Sequence, residues 1–236
     1  MHRHQLTLMW FLAFASLSRP ASAQSYQPLA SGLRWVFASP SGADRDTIIS
    51  VGPTVFDGLN VVEFQYHGFN EGLSNFWSVD PDGTVLFYGF DLPAESFTVH
   101  YVPPMRMVVP PMITGHTWRD TIRSLCLRGC EADTTPTVSV YTVNSVGPLT
   151  VPAGTFEAAG VEMDLGLAPM GFRSGYTYLG TKSVDPRTSA SAGGSVRWWT
   201  DGVGLIQNWD GWNLLSFDSA TATRVTRWGQ LKSRYR

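Results

Sequence analysis

Three histidines lie beyond the first few residues of the chain, and imidazole is the side chain best suited to hold a metal or move a proton near neutrality. They are His67, His100 and His116. Period-two spacing puts His67 on one strand face with Glu63 and Gln65, and His100 on a face with Thr98 and Val102. Were those faces to meet across a sheet, they would offer nitrogen and carboxylate donors for zinc. Scattered single histidines are ordinarily solvated or hydrogen-bonded, so the sequence assigns no metal ligand. Paired carboxylates raise a second chemistry, because glycoside hydrolysis needs two acids about 5–9 Å apart across a cleft. Asp80 and Asp82 belong to a turn, whereas Glu162 and Asp164 share a strand face, and Glu63 could pair with Asp91 or Glu95. Polar alternation also accounts for these acids, so no catalytic residue is assigned.

Other catalytic signatures fail on spacing. Gly171-Phe172-Arg173-Ser174-Gly175 places serine one position away from a nucleophile elbow. In Gly180-Thr181-Lys182-Ser183, Thr181 stands where a P-loop needs glycine, and no helix is expected after it. Gly202-x-Gly204 runs on to Gln207 and misses the dinucleotide fingerprint. The two cysteines, Cys126 and Cys130, have no companion Cys or His pair for a zinc site. Their C-x3-C spacing, with Gly129 between them, predicts a local disulfide across a tight turn. A loop that short would contribute only about 2 kcal/mol.

The elements that carry these residues read as strands. Residues 33–38 and 47–51 are rich in aromatic and β-branched side chains, and residues 60–67 alternate, with Val62, Phe64 and Tyr66 opposed to Glu63, Gln65 and His67. Asp80-Pro81-Asp82-Gly83 punctuates two strand runs, 75–79 and 84–90, as a hairpin turn. Residues 96–102 alternate again. In 103–111 two proline pairs surround Met105 and Met107, which predicts an extended segment outside any central strand, since proline cannot donate to a ladder. Strands are further expected at 114–125, 136–143, around Val161, Met163 and Leu165, and at 176–179. Residues 182–195 are small, polar and breaker-rich and predict an exposed loop, and a closing meander follows at 196–200, 203–209 and 212–217.

Residues 1–23 read as an export signal. A basic head precedes the 12-residue apolar run Leu6–Leu17, too short for the ~20 residues of a membrane span. Ala21-Ser22-Ala23 supplies the small-x-small cleavage pattern. Cleavage before Gln24 leaves 213 of the 236 residues and removes Arg3 and Arg19, so 15 basic residues face 19 acids. The expected location is therefore the periplasm or the extracellular space, with no transmembrane segment in the mature chain. Net acidity gives no reason to expect nucleic acid as a partner. Charged residues make up 15% of the chain and aromatics 13%, a balance that suits a rigid β protein and argues against disorder. Residues 24–236 are expected to form a single β domain ending in a basic tail with Arg224, Arg227, Lys232, Arg234 and Arg236.

Two segments carry a resemblance. Leu149–Ala158 reads LTVPAGTFEA and Trp198–Gln207 reads WWTDGVGLIQ, with Gly115-His116-Thr117-Trp118 upstream. Together they resemble a pattern in uncharacterised exported bacterial β-proteins carrying VPAGTF and W-x-x-x-GVGL motifs. Thr200-Asp201 departs from the Ala-Pro usual there. Such proteins are loosely similar to lipoprotein-carrier-like half-barrels. The resemblance implies a fold and a compartment, and brings no activity or catalytic residue with it.

The fold class expected is all-β with few short helices: a single antiparallel, strongly curved sheet or half-barrel, with a β-sandwich as the alternative. Trp198 and Trp199 are adjacent in a strand and must face opposite sides. Aromatics on a concave face can cover lipid chains or stack on sugars. The expected ligand-lining residues are Trp77, Phe87, Tyr101, Trp118, Trp199 and Trp209. The function expected is that of an exported non-catalytic binding or envelope-associated protein, needing no cofactor, that holds a lipid or other amphiphilic small molecule or docks an envelope protein. A secreted hydrolase acting on glycans through paired carboxylates is the alternative.

Overall fold

A computed structural model describes residues 25–129, 136–165, 176–177, 181–182, 195–208 and 210–218. Fourteen strands and one 3-10 turn, Pro93–Glu95, make up its regular structure. The strands are β1 Arg34–Ala38, β2 Arg45–Phe56, β3 Leu59–Gly68, β4 Ser74–Val79, β5 Val85–Leu92, β6 Phe97–Val108, β7 Thr117–Arg128, β8 Thr137–Val151, β9 Gly154–Leu165, β10 Tyr176–Thr177, β11 Thr181–Lys182, β12 Ser195–Thr200, β13 Gly204–Gln207 and β14 Asn213–Asp218. Twelve of them close into one antiparallel barrel, each paired with its neighbour in sequence except that β9 pairs with β12; β10 and β11 form a separate two-stranded sheet. The curved sheet expected from the sequence therefore closes completely. Closure runs through β1, which pairs with β2 on one side and with β14 on the other, Trp35 opposite Phe217 and Phe37 opposite Leu214. A closed sheet has no unpaired edge to protect.

Alternation decides which side chains fill the barrel. On β7 Trp118, Asp120 and Ile122 are buried, while Thr117, Arg119, Thr121 and Arg123 are exposed. On β3 Phe64 and Tyr66 face inward and Glu63, Gln65 and His67 outward, as the period-two pattern predicts. Barrel diameter grows with strand number, and eight strands already leave an interior that side chains just fill. Twelve strands need larger fillers, which this chain supplies in Trp35, Trp77, Trp118, Trp199, Tyr101 and Tyr141, all under 9% exposed. These side chains belong to one apolar cluster that occupies the interior. Among the described residues no helix is long and apolar enough to cross a membrane.

The proline-rich segment departs from expectation. Residues 103–108 belong to β6, where Phe87 pairs with Met105 and Val85 with Val108. Proline's missing donor is felt on one side only: the ladder to β7 ends at Val102 opposite Arg123. Two side chains of β7 take over beyond that point. Asp120 accepts from the Arg106 backbone N–H at 2.8 Å and from its Nε at 2.6 Å, and Trp118 Nε1 donates to the Arg106 carbonyl at 2.8 Å. The Val102–Pro103 and Pro110–Pro111 bonds are cis.

The β4–β5 turn forms as predicted, with the Gly83 N–H donating to the Asp80 carbonyl and Gly83 at φ 89°. A further hairpin turn, Asp57-Gly58, joins β2 to β3 with both residues at positive φ, 47° and 78°. Near it a small outer cluster of Phe56, Val61, Phe76 and Tyr88 packs on the barrel wall. The signal segment, the Cys126–Cys130 bridge, most of the loop at 182–195 and the basic tail lie outside the described residues, because each rests wholly or partly on positions other than those named above.

Candidate functional site

Antiparallel neighbours alternate in direction, so the β1–β2, β3–β4 and β13–β14 loops share one end of the barrel. At this rim Phe69 packs on Trp212 with ring centroids 5.4 Å apart. Beneath them Asp46 accepts hydrogen bonds from the Asn70 backbone and side-chain amides. Burial raises the Asp46 pKa, and those hydrogen bonds oppose the shift without cancelling it. At the other end the N-terminal segment folds against the β12–β13 turn, where the Ser25 N–H donates to Asp201 Oδ1 at 2.7 Å and the Gly202 N–H to the Ser25 carbonyl at 2.9 Å. This brings Gln27 into the interior.

Two small hollows lie inside the barrel. The outer one, about 30 Å³, is lined at the rim by Asp46, Asn70, Asn208 and Trp212. The inner one, about 40 Å³, is walled by Trp35, Phe64, Trp77 and Trp199 and reaches Gln27 and Arg197. Phe37, Ile48, Tyr66 and Leu205 line both, so the hollows adjoin. A few water molecules would fill them, far less than the ~300–1,000 Å³ of a preformed pocket for a drug-sized ligand. A longer ligand must displace side chains; at the rim Trp212 lines the outer hollow and packs against Phe69, which is 41% exposed.

Arg197 is the unusual occupant. Register places it opposite Val161 and, two residues before Trp199, on the same inward face. It is 5% exposed, with Nη1 3.8 Å from Met107 Sδ. Burial pushes its pKa down, while the fields of Tyr141, Tyr66, Asp210 and Tyr101 act in the opposite sense. Burial likewise raises the pKa of Tyr66 and of Tyr141, so both are neutral phenols at physiological pH. Tyr66 accepts from Asn75 Nδ2 at 2.8 Å, which leaves its own O–H able to donate. Trp199 is 1% exposed, and among the described residues its indole N–H has no hydrogen-bond partner. Arg197, Trp199, Tyr66 and Gln27 all line the inner hollow, and their polar groups are mainly donors.

Of the expected lining residues, Trp77 and Trp199 border the inner hollow. Phe87, Tyr101 and Trp118 point inward but are packed core. Phe87 touches Trp77 at 4.6 Å and Tyr101 at 5.6 Å, and Trp118 stacks on Tyr141 at 5.2 Å. Trp209 lies outside the described residues. Arg197, Tyr66 and Trp35 escaped the sequence reading. Arg197 had a usable signal: period two puts it on whichever face Trp199 occupies.

The titratable groups singled out by type are dispersed. His67 Nδ1 lies 3.2 Å from Glu71 Oε1, and His100 Nδ1 lies 2.6 Å from Asp57 Oδ2, under the Phe56 ring on the outer wall. Among the described residues no group of three or more His, Cys, Asp or Glu side chains is placed to hold a metal ion. Glu63 accepts from Gln65 and Ser74, Asp91 from Thr98 and Arg128, and Glu162 from Asn144. These carboxylates sit on the convex outer wall, each engaged locally, with no cleft between them.

Compared with family models, curated proteins and solved structures, the chain matches none.

Proposed function

We propose that this chain is an exported, non-catalytic binding protein that takes a slender apolar or amphiphilic molecule into the barrel through the Phe69–Trp212 rim. One observation carries this reading: two adjoining hollows with aromatic walls lie inside the barrel, and Gln27, Tyr66, Arg197 and Trp199 put polar groups among their lining residues. The signal-like N-terminus, the VPAGTF and GVGL motifs and the Cys126–Cys130 spacing support the same reading by pointing to an oxidising extracytoplasmic compartment. The glycan-hydrolase alternative receives less support, since its candidate acids face outward on a convex wall.

Native mass spectrometry of the purified mature protein tests the proposal. A co-purifying amphiphile, or saturable binding from a panel of single-chain fatty acids, alcohols and lysolipids, is the expected result. Absence of both would overturn it.

A further inference from the structure

We infer that the stretch of β6 from Pro103 to Val108 is the part of the wall that yields to a ligand, and that Met105 and Met107 seat its apolar chain. This rests on the binding reading above and says where the room for a ligand comes from. The hollows, about 40 and 30 Å³, hold only a few water molecules, so a chain of several carbons enters only if part of the wall moves. A sheet gives way most readily where backbone hydrogen bonds clamp a strand on one side alone. From Thr98 to His100 β6 is paired with both β5 and β7. Beyond Val102 the β7 ladder has ended, while pairing with β5 resumes with Met105 opposite Phe87 and Val108 opposite Val85. Pro103 and Pro104 bring no N–H that could restore it. Arg106 spans the gap instead, held by the Asp120 carboxylate, the Arg119 carbonyl and the Trp118 indole. The side chains behind this seam are suited to repacking. Met105 and Met107 are buried in the interior cluster, and methionine, unbranched and polarisable, fits itself around irregular shapes. Contacts link both to the inner hollow. Met107 Sδ lies 3.8 Å from Nη1 of Arg197, a lining residue, and Met105 is paired with Phe87, whose ring packs at 4.6 Å on Trp77, another. Displacing the two methionines therefore enlarges the inner hollow toward the seam without breaking a ladder on the β7 side.

The test uses the mature protein, isotope-labelled at the methionine methyl groups, with octanoate and octan-1-ol as probes; if neither binds, whichever member of the wider panel binds takes their place. Calorimetry gives the binding curve, and Met105→Leu and Met107→Leu assign the methyl resonances. Both resonances should shift and saturate in step with that curve. In the free protein, Asp120→Asn should speed hydrogen exchange of the Met105–Val108 amides about tenfold or more, the worth of one charge-assisted hydrogen bond, and leave the β2–β3 ladder unchanged. A probe that binds while either methionine resonance stays fixed overturns the yielding wall and leaves the binding reading standing, as does exchange unaltered by Asp120→Asn. If no probe and no member of the panel binds, both readings fall. The methyl titration of the unsubstituted protein decides the matter even if Asp120→Asn does not fold.

Discussion

Replacing Arg197 by methionine should destabilise the protein. The guanidinium is 5% exposed, and burial depresses its pKa while Tyr141, Tyr66, Asp210 and Tyr101 act in the opposite sense. Removing one member of such a buried interacting set leaves the others uncompensated and costs about 3–5 kcal/mol. Methionine is close to arginine in length and meets a compatible neighbour in Met107, whose Sδ lies 3.8 Å from Nη1, which offsets part of the loss. A net loss of about 2–4 kcal/mol follows, or roughly 2–4 °C in Tm per kcal/mol for a domain of this size. Urea denaturation and calorimetry at pH 7 read it out, in the absence of added amphiphile. An unchanged or raised Tm would show that the groups facing Arg197 do not depend on its charge.

Three further outcomes follow from the geometry. Leu205→Trp should block the passage where the two hollows meet, abolishing amphiphile binding in the calorimeter at an overpacking cost of about 1–3 kcal/mol. Asp120→Ala should cost about 2–4 kcal/mol in urea, because it strips both charge-assisted bonds from Arg106 where the prolines have already ended the β6–β7 ladder; a loss below 0.5 kcal/mol would show that Asp120 does not close that gap. Burial raises the Asp46 pKa above its unfolded value near 3.8, so the folded state binds the proton more tightly than the unfolded state. That contribution is present at pH below 3.8 and is lost as pH rises through the folded pKa. Relative to Asp46→Asn, the parent protein should therefore lose stability as pH rises from 3.8, and a difference that does not change with pH would contradict the assignment.

Much of this architecture is local and so was legible in the residues. The Val62–His67 alternation and the Asp80–Gly83 turn each determine their own geometry. Closure is different in kind. It depends on β1 meeting β14, with Trp35 opposite Phe217 across most of the chain, and no local pattern announces such a pairing. The proline segment is extended and lacks a ladder to β7, as proline's missing donor predicts; its pairing with β5 is not visible in the sequence, because a missing donor excludes pairing on one side only. The lining of the inner hollow is legible in part. Large aromatics on an inward face include Trp77 and Trp199, which border the hollow, and equally Phe87, Tyr101 and Trp118, which pack in the core. Which inward aromatic borders a hollow depends on strand number and stagger, and those emerge only when the sheet closes. Arg197 is not legible as an inward residue, because charge normally marks an outward face.

The indole N–H of Trp199 offers the most direct measurement of the central claim. In a proton–nitrogen correlation spectrum of the mature protein its resonance can be assigned by loss in Trp199→Phe, then followed through an octanoate titration. A ligand in the inner hollow, which Trp199 lines, must shift that resonance, saturating in step with the calorimetric binding curve. If the signal stays fixed at saturating octanoate, or if binding shifts only resonances of the outer wall, the interior is a packed core and the barrel does its work on its surface.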